Sequence, residues 1–133
     1  MTDAELIAAA AGVIRHRRSG DYLAGDVGAA LLTASGALHL GVCIDTVCSM
    51  GFCAEANAIG AMVTAGESRI ARIVAVWQGA GSVARVVPPC GRCREFIRAV
   101  DEANLATEVV LAGGKVMLLA DLLPHHDGFA FLE

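Results

Sequence analysis

Pro89-Cys90-Gly91-Arg92-Cys93 and, upstream of it, Cys53-Ala54-Glu55 are the stretches that set the fold of this chain. Each is followed by a run free of helix breakers save one glycine, so each predicts the first turn of a helix: residues 53–65 and residues 90–100. Two thiols at i and i+3 in a first turn lie on one face and can grip one ion. The positive end of the helix dipole there favours the thiolate form that binds metal. Cys53 begins the other helix in the same way. Three thiolates on Zn²⁺ leave one tetrahedral position open, the mark of a reactive rather than a structural site. Glu55 projects from a different side of its helix than Cys53, so it is poorly placed as a fourth ligand. It is well placed to take a proton from a water at the open position.

Around these motifs, helical and strand patterns alternate. Asp3 can cap a first helix reaching residue 18, with Leu6, Ile7, Ala10, Val13 and Ile14 at helical spacing. Residues 27–33 and 37–45 read as a hairpin around Ala34-Ser35-Gly36. The β-branched run 70–78 predicts a buried strand. A loop with Gly79, Gly81, Pro88 and Pro89 follows. Residues 108–111 and 116–118 predict two short strands, and 120–123 a final helical turn ended by Pro124. No linker or repeat divides the chain, so residues 1–133 read as one layered α/β domain with a single sheet.

Composition narrows the chemistry. Apolar residues make up 56% of the chain and charged residues 18%, which suits a well-buried globule. No apolar run is long enough to span a bilayer, and Met-Thr-Asp-Ala-Glu lacks the layout of a signal peptide. A cytoplasmic location and no membrane partner are therefore expected. In such a reducing compartment, five cysteines point to metal binding or catalysis rather than disulfides. The net charge of −4 leaves no basic footprint for nucleic acid and favours a small-molecule substrate. The one dense basic run, Arg15-His16-Arg17-Arg18, reads as the solvated end of the first helix.

Blander readings stand beside these. Cys48 with Cys53, Cys90 and Cys93 could make a closed four-cysteine zinc site, leaving Glu55 a surface carboxylate. A redox C-x-x-C is a further possibility. Cys43 and Cys48 read as small buried residues. His39, His125 and His126 lack ligand spacing.

The motif set, C-x-E followed by P-C-x-x-C, is that of zinc nucleobase deaminases, and the chain resembles the small cytidine deaminases and the blasticidin-S-type deaminases of the same superfamily. Tyr22 with Val27-Gly28-Ala29-Ala30-Leu31 resembles that family's first strand, and Gly41-Val42 opens its substrate strand. Cys53-Ala54-Glu55 and Pro89-Cys90-Gly91-Arg92-Cys93-Arg94 match its zinc motifs. Leu122-Leu123-Pro124, Phe129 and Phe131 resemble its closing segment. The resemblance implies a three-layer α/β/α sandwich around a five-stranded mixed sheet, one Zn²⁺ per subunit, and a homotetramer, with a dimer as the alternative. It implies deamination of a cytosine nucleoside, with Glu55 shuttling protons. Backbone groups near Ala54 and Pro89 would position the ring, and Phe129 and Phe131 would pack on the substrate.

Departures from the family pattern bear on the substrate. Cys43 and Asp45 stand where relatives carry an Asn and a Glu for the ribose hydroxyls. Gly25 replaces an aromatic, which would widen the pocket. Ala56 replaces an arginine after C-x-E, and Arg92 is the residue that would then offset the thiolate charge. Arg92, Ala56 and Gly25 leave open a bulkier aminopyrimidine such as blasticidin S or a modified cytidine, and the four-cysteine site would instead make a catalytically silent structural-zinc domain. A polynucleotide deaminase is disfavoured by the acidic charge.

Overall fold

The computed structural model describes residues 1–128 and Leu132. Helix α1 spans Asp3–Gly12. Its cap is Thr2 rather than Asp3: the Thr2 hydroxyl accepts from the Glu5 amide at 3.2 Å, and Glu5 accepts from the Thr2 amide at 2.6 Å. This reciprocal pair satisfies two otherwise orphaned donors. The helix also ends earlier than the expected residue 18. The Arg15 guanidinium folds back to donate to the carbonyls of Gly12 and Ile14, at 3.0 and 2.8 Å. Beyond it, Arg17–Ser19 forms strand β1 and pairs with the start of β2, Tyr22–Thr33. Of the basic run, Arg17 and Arg18 thus belong to a short strand, His16 contacts the Gln78 carbonyl, and Arg15 serves the helix end.

Strand β3 (Leu38–Asp45) completes the hairpin with β2. Helix α2 (Ala54–Thr64), strand β4 (Ile70–Trp77), strand β5 (Arg85–Val87) and helix α3 (Gly91–Val100) follow. Then come β6 (Glu108–Val110), β7 (Val116–Leu118) and the single turn α4 (Leu119–Leu122). Among the described residues the sheet has seven strands instead of five. The two extra ones are β1 and β5, the latter inside the stretch read as loop. Strands β1 and β4 pair with the same side of β2 in succession, and β5 and β6 do the same along β4. The seven strands therefore lie in five columns, two of which are each built from two pieces. Among the described residues only β4 and β6 run parallel.

Strand alternation distributes the core over both faces. Ala30, Val74, Val76 and Val110 face Leu6, Ala10 and Ile14 of the α1 region. Ala29, Leu31, Ile73, Ala75 and Val109 face Ala58, Ile59 and Met62 of α2 and Ile97 of α3. That makes the three α/β/α layers. Gly41 lets α2 lie close on β3, since a Cβ there would sit 2.4 Å from the Ala58 nitrogen and 2.5 Å from the Ala54 oxygen. Among the described residues no helix is long and apolar enough to cross a membrane.

One buried polar residue ties the layers that carry the motifs. The Asn104 carbonyl accepts from the Ile70 amide at 2.8 Å, and its NH₂ donates to the carbonyls of Ser68 and Ile97, both at 2.9 Å. It is 1% exposed, so water cannot replace these bonds. Asn104→Ala is expected to cost about 2–4 kcal/mol, because it leaves a buried amide and carbonyl unpaired. Urea unfolding of the purified variant, with an unchanged m-value, checks this.

Candidate active site

The site forms where the N-termini of α2 and α3 meet. Cys53 and Cys90 are the residues that precede each helix, with extended backbone at φ −65°, ψ 157° and φ −68°, ψ 167°. Neither uses its side chain to cap the helix, so both thiols stay available. Cys93, in the first turn of α3, is fully buried. The three sulfurs lie within 4.8 Å of one another, with Cys53 Sγ and Cys90 Sγ at 3.4 Å. Tetrahedral zinc with sulfur at about 2.3 Å requires sulfurs about 3.8 Å apart, so this donor set fits the metal without rearrangement of the backbone. Burial, then the charge of Glu55, pushes the Cys93 thiol well above its ordinary pKa. A dense thiol cluster beside a carboxylate resists full ionisation, and a divalent cation is what resolves it.

Glu55 is 5% exposed, yet its carboxyl borders the same cleft as the thiols. Burial raises its pKa, against hydrogen bonds from its own amide and from Cys93. Cys48 takes no part. It is exposed, in a tight turn with φ 61°, and lies outside the thiol cluster. The closed four-cysteine alternative is therefore not built. His39 faces Glu67, and His126 contacts the Leu123 carbonyl.

The cleft encloses about 480 Å³ and brings together Cys43, Asp45, Ala54, Glu55, Cys53, Cys90 and Arg92 from separate strands and helices. That is the volume range of small-ligand pockets. Pro88 lines it, whereas Pro89 faces a small void beside Glu55 and Val109 and accepts a hydrogen bond from Arg94 Nε at 2.9 Å. Arg92 stands at the exposed rim, its guanidinium 4.9 Å from the Phe52 ring centroid and donating to the Gly51 carbonyl at 3.2 Å. Phe129 and Phe131 lie outside the described residues.

Two findings were not anticipated. Gly25 does not widen the cleft. It holds a left-handed backbone at φ 86°, where a Cβ would fall 1.8 Å from the Arg15 carbonyl oxygen. Asp26, the next residue, does line the cleft, with a carboxylate oxygen within 4.8 Å of Cys43 and Asp45 ligand atoms. The available signal was the Gly-Asp pair interrupting an apolar strand pattern, which marks a bulge.

Residues 1–109 match the family model described as the cytidine and deoxycytidylate deaminase zinc-binding region. No curated protein matches the chain. Among solved structures, the cytidine deaminase of Mycobacterium tuberculosis is 26% identical with a TM-score of 0.75, covering 97% of this chain and 100% of that one. The cytidine deaminase of Mycobacterium leprae is 25% identical with a TM-score of 0.75, over 93% and 98% of the two chains. That of Burkholderia pseudomallei is 28% identical with a TM-score of 0.73, over the same shares, 93% and 98%.

Proposed function

The chain belongs to the cytidine and deoxycytidylate deaminase zinc-binding family, and from that premise we propose that it hydrolyses a cytosine nucleoside, cytidine, deoxycytidine or a close analogue, to the uracil nucleoside and ammonia. Cys53, Cys90 and Cys93 hold one Zn²⁺ in this reading. The metal supplies Lewis acidity, which brings the pKa of a water within reach of neutral pH. Glu55 would accept a proton from the attacking water and return it to the departing amine, so one carboxylate would serve as base and then as acid. Its burial keeps bulk water from competing for the proton. In this reading the backbone of Ala54, fully buried at the start of α2, would meet the ring, and Asp45, which lines the same cleft, would meet the sugar. Arg92 offsets part of the negative charge of the thiolates from the rim. A homotetramer is part of the same proposal.

The observation that carries this reading is a cluster of three sulfurs within 4.8 Å of one another, two of which, those of Cys53 and Cys90, line the same cleft as the buried Glu55. The test is a substrate panel of cytidine, deoxycytidine, ring-substituted cytosines and blasticidin S. Loss of cytosine absorbance and release of ammonia are followed with zinc-loaded protein. Turnover of at least one plain cytosine nucleoside is the expected result. Turnover confined to the bulkier compounds would move the assignment to them, a reading favoured by Cys43, whose thiol is a poor substitute for an amide donor.

A further inference from the structure

The pairing of β2 with β3 breaks at one place. Ala24 pairs with Ile44 and Gly28 with Val42, so Gly25, Asp26 and Val27 together oppose Cys43 alone. Such bulges bend a strand and re-aim a side chain. Here the re-aimed side chain is Asp26, directed into the cleft that also holds Glu55 and the thiols.

The bulge is clamped from three sides. The Arg15 amide donates to the Gly25 carbonyl at 2.9 Å, the Gln78 amide to the Asp26 carbonyl at 2.9 Å, and the Val27 amide to Cys43 Sγ at 3.4 Å. The Cys43 thiol, 6% exposed, donates its one hydrogen to Asp26 Oδ1 at 2.9 Å. Cys43 therefore has no donor left for a ligand. Among the described residues Asp26 takes a side-chain hydrogen bond at Oδ1 only, and the residue lines the cleft. Asp45 adds a second carboxylate within 4.8 Å. Among the described residues Arg92 is the one cation lining the cleft, and it is engaged with Phe52 and Gly51.

We propose that Asp26, oriented by Cys43, is a specificity-determining residue. Its carboxylate accepts a hydrogen bond from a neutral or cationic donor on the sugar side of the nucleoside and disfavours anionic substituents there. This rests on the deaminase reading. A pre-positioned acceptor loses little entropy on binding, and a second carboxylate beside it repels phosphate. Cys43 is a positioning residue, acting through Asp26.

The test compares cytidine, 2′,3′,5′-trideoxycytidine, 3′-amino-3′-deoxycytidine and cytidine 5′-monophosphate. Each is assayed on the zinc-loaded wild-type chain and on Asp26→Asn and Cys43→Ala. Wild type is expected to have a KM for the trideoxy compound roughly 10- to 100-fold above that for cytidine, the size of a lost charge-assisted hydrogen bond. Asp26→Asn should raise KM by a similar factor for cytidine and the amino nucleoside, with kcat within about threefold and no change for the trideoxy compound. Cys43→Ala should reproduce this split at a smaller size. A lower KM for the amino nucleoside than for cytidine assigns the donor as ammonium, and the reverse as hydroxyl.

Equal KM values for cytidine and the trideoxy compound on wild type would overturn the proposal without any mutation. So would an equal loss on both in Asp26→Asn, which is what a purely structural role gives. Preference for the monophosphate would also overturn it, pointing instead to Arg17 and Arg18 in the adjoining cavity of about 220 Å³. If wild type deaminates nothing, the deaminase reading falls as well. If it deaminates cytidine while the Asp26 pattern is absent, only this inference falls.

Discussion

Glu55→Gln is expected to lower kcat by roughly 10²–10⁴-fold, the usual worth of a positioned proton carrier, while zinc content and fold stay as in wild type. Gln has the shape of Glu but cannot take a proton at neutral pH. The side chain is 5% exposed, so solvent cannot enter easily to act in its place. The substitution removes a charge whose burial already raises its pKa, so it relieves a desolvation cost rather than creating one. Thermal unfolding should therefore shift by no more than about 3 °C, under 1 kcal/mol for a chain of this size. Steady-state kinetics, metal analysis and thermal unfolding on one preparation check all three parts. A variant that keeps wild-type turnover removes Glu55 from the chemistry. A variant that also loses zinc gives Glu55 a structural role instead. A catalytically silent zinc domain predicts no turnover in wild type and no difference in the variant.

The parts of this molecule that were legible in the sequence are those fixed by local geometry. A C-x-x-C at a helix start places two sulfurs on one face whatever surrounds it, and Cys93 and Cys90 sit as that spacing requires. The alternation of β-branched residues in β4 carries through to its two buried faces. Other features depend on partners distant in sequence. Strand β1 is three exposed residues with no hydrophobic period, and its existence follows from pairing with Tyr22 to Ala24. Strand β5 likewise exists through β4. Gly25 and Asp26 were misread or missed because a bulge is a property of the register between two strands, while one strand shows only a break in pattern. The role of Asn104 rests on backbone groups of Ser68, Ile70 and Ile97 that only the folded chain brings around it, so no local pattern marks it.

The second large effect is expected from Cys93→Ala. Cys53 and Cys90 alone offer two sulfurs, and a two-thiolate site does not hold Zn²⁺ against dialysis as a three-thiolate site does. Metal content should fall from about one per chain toward zero, and turnover should fall at least as far as in Glu55→Gln. Stability should fall too. A metal bound only by the folded state adds about 4 kcal/mol when it is present at about a thousand times its dissociation constant. Here that energy joins residues 37 apart in sequence, at the first turns of two helices. Cys93 is fully buried, so part of any loss is a packing defect; trimming one sulfur accounts for about 1 kcal/mol. Chelation separates the two contributions. A strong chelator should lower the unfolding temperature of wild type substantially and leave Cys93→Ala almost unmoved, with the two metal-free proteins differing only by the packing term. Cys48→Ala, which changes a cysteine outside the cluster, should retain both zinc and the chelator response. A Cys93→Ala protein that still binds one zinc and still responds to chelator would show that the metal is held elsewhere, and the assignment of the three cysteines would be lost with it.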